Sequence, residues 1–153
     1  AGHTHVGGAQ GNTLGLDAIK VDEQSAENAA LVTLIAGGAV IANLPSMTVA
    51  VGDRVLVYTL ARVSKGATAG DTTILAQKIA GTATGVWLNN YTNMRHSAYM
   101  VAGADARVVL AGMYKITGAG TLELQIFGSS AGSDSTIDAG DADIHALVLR
   151  GTG

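Results

Sequence analysis

Residues 106 to 128 read ARVVLAGMYKITGAGTLELQIFG. Two runs of aliphatic and β-branched residues, RVVLAGMYKI and TLELQIF, are separated by TGAGT, in which Gly118 and Gly120 can take positive φ at little cost. The stretch predicts two antiparallel strands joined as a hairpin. The same punctuation recurs outward from it. AGTATG (80–85), NNYTN (89–93), AGADA (102–106), GSSAGSDS (128–135) and DAGDAD (138–143) each interrupt an apolar stretch. Strands at this spacing point to an all-β chain, an antiparallel β-sandwich of jelly-roll type, rather than to βαβ units.

RVLVYTLARV, residues 54 to 63, sets Val55, Val57 and Val63 on one face of a strand and Leu56, Tyr58 and Leu60 on the other. Both faces are apolar, the signature of a strand covered by a facing sheet on one side and by a neighbouring subunit on the other. The loop SKGATAGDT that follows, before TILAQKIA, predicts a second hairpin with an extended connection. The run AALVTLIAGGAVIANL (29–44) is divided by Gly37-Gly38 and falls short of the ~20 residues of a membrane span, so it is read as two strands. Residues 1–28 have little apolar periodicity and are assigned to an N-terminal arm, leaving 29–153 as the β-sandwich domain. The one helix candidate is DEQSAENAA, residues 22 to 30, where acidic residues suit a helix start.

Hydrophobic residues make up 48% of the chain against 14% charged, so much of the surface lacks ionic cover and favours burial against partners. A net charge of -3, with nine Lys and Arg scattered singly, leaves no basic stripe for a phosphate backbone and argues against nucleic acid as a partner. The absence of Cys excludes disulfides and thiolate metal sites. No basic segment followed by an apolar core opens the chain, so no secretory signal is expected, and no membrane partner.

Catalytic patterns are weak. GSSAG (128–132) matches G-x-S-x-G, with Asp138 and His145 following in the order of an α/β-hydrolase, but no helix follows Ser130 and the pattern reads as a polar turn. Asp138, Asp141 and Asp143 lack the ligand spacing of a calcium loop. No convergent His and Glu set is visible, so no catalytic residue and no enzymatic activity are expected. VWLNNYTNMRHSAYM (86–100) gathers Trp87, Tyr91, Arg95 and Tyr99 into a candidate partner-binding surface, since such residues dominate binding hot spots. The alternative places Trp87 in the core. His3 and His5 project to one side of an extended chain but supply only two ligands, so an iron or other divalent metal site needs three chains meeting on a threefold axis. A solvated pair with no cofactor is the simpler alternative.

GHTHVGGAQG, residues 2 to 11, resembles the H-x-H and Gly-rich segments of tailed-bacteriophage structural proteins, in which such pairs bind iron in trimeric fibres. Residues 102 to 151 are similar in style to the C-terminal half of small jelly-roll or TNF/C1q-like β-sandwich domains of phage head-decoration and fibre proteins. The resemblance implies a virion structural protein, a homotrimer on the outer surface of a virion assembled in the host cytoplasm, with the major capsid protein or another virion protein as partner. No heptad or shaft repeat is present. Length and layout therefore favour a capsid decoration, or cement, protein whose arm residues Val6, Leu14, Leu16 and Ile19 grip the shell. The other reading is a fibre or receptor-binding tip that recognises glycan through the segment around Trp87.

Overall fold

The computed structural model describes residues 20–67, 70–88, 94–132 and 134–150. These form twelve strands and, among the described residues, no helix: β1 Lys20–Glu27, β2 Val32–Leu34, β3 Ala39–Asn43, β4 Met47–Val49, β5 Arg54–Lys65, β6 Asp71–Gly81, β7 Thr84–Trp87, β8 Met94–Met100, β9 Asp105–Gly118, β10 Gly120–Ser130, β11 Ser135–Ile137 and β12 Ala142–Leu149. All pairings are antiparallel. One sheet runs β7-β9-β5-β12-β1, with β11 and β2 continuing beyond β12 along the far end of β5. The other runs β8-β6-β10, with β3 and β4 both pairing the free side of β10.

Alternation builds the core between these layers. Val55, Val57 and Val63 of β5 face inward, as do Leu122, Leu124 and Ile126 of β10, and all are buried with Ile144 and Val148 of β12. A strand with one apolar side per two residues is satisfied only by a second layer about 10 Å away. Among the described residues two polar links cross the core, one joining the Ser135 hydroxyl of β11 to those of Thr73 on β6 and Ser130 on β10, the other made by Gln77. Gln77 of β6 donates from Nε2 to Thr59 Oγ1 of β5 and to the Leu110 carbonyl of β9, both at 3.0 Å.

Both expected hairpins are instead crossings between sheets. β9 lies in the seven-stranded sheet and β10 in the five-stranded one, and β5 and β6 are split in the same way. A short Gly-containing connection marks a reversal, but the period-2 pattern does not say whether the next strand pairs beside the last or across the core from it. The close packing at this corner explains one glycine: a Cβ on Gly120 would meet the Thr82 hydroxyl at 2.6 Å and the Ala83 backbone nitrogen at 2.9 Å.

The 29–44 run does divide into β2 and β3, with Gly38 between them at φ 81. Residues 22 to 30 are not helical. Lys20–Glu27 is strand β1, paired along β12, so the sheet begins inside the segment assigned to the arm. The alternating exposure of Asp22 to Glu27 is that of an edge strand, and ladder hydrogen bonds outweigh the modest preference of acidic residues for a helix start.

Candidate functional site

The outer face of the seven-stranded sheet is apolar where solvent would normally demand polar side chains. On β5 the outward residues Leu56 (42% exposed), Tyr58 (42%) and Leu60 (38%) stand opposite Met113, Ala111 and Val109 of β9. Leu147 and His145 of β12 flank Leu56 and Tyr58 on one side. Val86 and Leu88 extend the band on the other, with Leu88 tied to β9 through its N–H to the Met113 carbonyl at 2.9 Å. Three successive rows on β5 and β9 therefore carry no charge. At strand spacings the band measures on the order of 400 Å², at the upper end of what isolated chains expose.

Charges frame this band. Arg54 pairs with Lys115 at one end, and Arg62 with Arg107 at the other. Beside the second pair a shallow groove of about 330 Å³ is lined by Leu60, Arg62, Arg107, Gly140, Asp141 and Asp143. Arg62 Nη2 donates to Asp105 Oδ2 at 2.6 Å, and its Nη1 lies 3.8 Å from Asp141 Oδ2. That hydrogen bond, ahead of one with Ser64, holds the Asp105 carboxyl below the usual carboxylate range, while Asp105 raises Arg62. A carboxyl lowered on folding adds stability above its unfolded value and loses it as pH falls through the folded one. Both groups are exposed, so the sharper readout is the titration itself. Arg62→Gln is expected to move the Asp105 midpoint upward in an NMR titration; an unmoved midpoint would refute the assignment.

The opposite outer face differs. β10 and β6 present Thr121, Glu123, Gln125, Thr72 and Lys78 beside Ile74 and Phe127, and Lys78 Nζ covers the Phe127 ring from 5.0 Å. Tyr99 of β8 (69% exposed) and Val40 of β3 (46%) stand on this face too, so it interleaves apolar with charged and polar side chains and has no uncharged band.

The candidate partner-binding residues of 86–100 do not form one surface. Trp87 is 4% exposed and packs edge-on against Tyr114, ring centroids 5.1 Å apart, so the core alternative is the one seen. Burial pushes the Tyr114 phenol up. Arg95 and Tyr99 are exposed on β8, the edge strand of the five-stranded sheet, whereas β7 with Trp87 belongs to the other sheet, and Tyr91 lies outside the described residues. His3, His5, Val6, Leu14, Leu16 and Ile19 also lie outside them. The G-x-S-x-G serine is buried at the end of β10, its Oγ 3.1 Å from Ser135 Oγ. His145 faces outward on the far sheet, so Ser130 and His145 are separated by the core. Asp138 and Asp141 bound a turn closed by the Asp141 N–H to the Asp138 carbonyl at 3.1 Å and braced by buried Asn28, which donates to that carbonyl at 2.6 Å. Among the described residues no group of three or more His, Asp or Glu is placed to hold a metal ion.

The exposed apolar set is centred on β5 and not on the 86–100 segment. The outward set Leu56, Tyr58 and Leu60 was legible from strand alternation, but its counterpart on β9 required the pairing register.

No family model and no curated protein matches this chain. Among solved structures, it is similar to a chain from infectious bursal disease virus, Gx strain, at 15% identity and TM-score 0.44, over 88% of this chain and 35% of that one. A second likeness is to the N-terminal endo-1,4-beta-D-xylanase 10B of Clostridium thermocellum, complexed with xylohexaose, at 12% identity and TM-score 0.34, over 88% and 29%. A third, to a black queen cell virus chain, has 14% identity and TM-score 0.23, over 86% and 68%. This chain thus spans about a third of the length of the first two. Scores this low carry no inference about function, partners or family.

Proposed function

We propose that this chain is a virion structural protein of the capsid-decoration type, with a structural rather than catalytic role. Three copies associate through the apolar outer face of the seven-stranded sheet, and the trimer sits on the outer surface of a capsid shell. The supporting observation is the continuous uncharged band on one outer face, Leu56, Tyr58, Leu60, Val109 and Leu88, where the other face interleaves Val40 and Tyr99 with Glu123, Gln125 and Lys78. An uncharged apolar band of this size on one sheet face suits a protein that is one part of a larger body. The sparse charge of the chain agrees with that role. Shell binding would stabilise the assembled state by mass action, and three linked contacts would lengthen residence beyond that of any single one. Residues 1–19 supply the gripping arm in this reading.

Native mass and co-sedimentation with shells of the major capsid protein from the same genome test it. The full chain is expected as a three-copy species that pellets with shells. A chain lacking residues 1–19 should keep the three-copy mass and stay in the supernatant. A single-copy native mass would overturn the trimer, and undiminished pelleting of the shortened chain would remove the arm from the mechanism.

A further inference from the structure

The geometry points to an intramolecular amide cross-link between the side chains of Lys65 and Asp134, formed with loss of one water. Lys65 ends β5 with its side chain turned inward and 0% exposed, and its Nζ is in contact with Asp134 Oδ1. The backbone fixes both residues. Ser135, next to Asp134, stands opposite Lys65 in the β5–β11 pairing, and the Gly66 N–H donates to the Asp134 carbonyl at 3.0 Å. On its other side, the Lys65 N–H donates to the Ala104 carbonyl at 2.8 Å. Folding thus holds an amine against a carboxyl with almost no freedom left to lose, the condition under which an intramolecular reaction is most favoured.

Burial supplies the driving force. An ammonium and a carboxylate kept as ions in this position bear the desolvation cost of two charges, whereas an amide is neutral. The residue next to Asp134 is buried as well: Ser135 Oγ lies 3.2 Å from Thr73 Oγ1 and 3.1 Å from Ser130 Oγ, so the flank of the pair is closed to solvent. The step balances without any co-reactant. One proton moves from the Lys65 ammonium to the Asp134 carboxylate, and the freed Nζ lone pair forms a bond to Cγ. The Cγ–OH bond then breaks, and its oxygen leaves as water with a second proton from nitrogen. The Asp134 side chain, 21% exposed, gives that water a way out. The product ties the end of β5 to the segment entering β11 in a chain that has no Cys with which to do so. This cross-link is independent of the assembly reading.

The intact mass of the full chain under denaturing conditions decides it. The expected mass is about 18 Da below that of the sequence, one water, with the full mass restored by Lys65→Met and by Asp134→Ala. Tandem mass spectrometry of a digest of the unsubstituted chain should show a branched peptide joining the two residues. The full sequence mass in that chain, or a deficit that survives both substitutions, would overturn the proposal.

Discussion

Glutamate at both Leu56 and Leu60 is expected to reduce the assembled protein to single chains with an unchanged β-sheet signature. Both side chains point away from the core, so the isolated fold should change by no more than about 0.5 kcal/mol. In an assembly through this face, the new carboxylates would be pressed into an apolar band and towards their counterparts on sister copies. Like charges brought together at an interface cost several kcal/mol, and each 1.4 kcal/mol is about a tenfold loss of affinity. Sedimentation velocity at micromolar concentration should show the shift, while Thr72→Glu and Thr121→Glu on the other outer face should leave the mass unchanged. An unaltered assembly in the Leu56 and Leu60 variant would mean that copies do not meet through this face.

Gln77→Ala should lower stability by about 3 kcal/mol, and Gln77→Met by about half as much. Gln77 is wholly buried, and its one amide nitrogen serves acceptors on two strands of the facing sheet. Alanine leaves a cavity and strips both acceptors, the Thr59 hydroxyl and the Leu110 carbonyl, of their donor. Methionine keeps most of the volume and loses only the bonds. It also removes the amide oxygen, which has no hydrogen-bond donor among the described residues, and so recovers part of the cost of burying Gln77. Urea midpoints of the three proteins separate these terms. Equal midpoints for alanine and wild type would show that this bridge between the sheets contributes nothing.

Strand alternation made the class of fold readable before any pairing was known. Alternation puts Val55, Val57 and Val63 on one side of β5, where they are buried together, and Gly37-Gly38 marks the break between β2 and β3. Partner choice was not readable in the same way, because Leu122 looks alike whether β10 lies beside β9 or across the core from it. β1 is hidden for a related reason: an edge strand with Glu23, Ser25 and Glu27 turned outward carries little apolar periodicity. The site was half visible. Leu56, Tyr58 and Leu60 announced a second apolar face, whereas residue type drew attention to Trp87, whose large ring serves the core as well as it would serve a partner. The meeting of Lys65 with Asp134 depends on residues far apart in the chain, and no local pattern marks it.

From β4 to β11 every successive strand changes layer. No contiguous fragment therefore holds a complete sheet, and a nascent chain released after β8 would have apolar strands without their neighbours in both layers. Closure must await β9 and β10, which binds the rate of folding to the slowest long-range encounters and places this topology among the slow, milliseconds-to-seconds folders. Production of the protein then depends on keeping unfinished chains apart until their last third emerges.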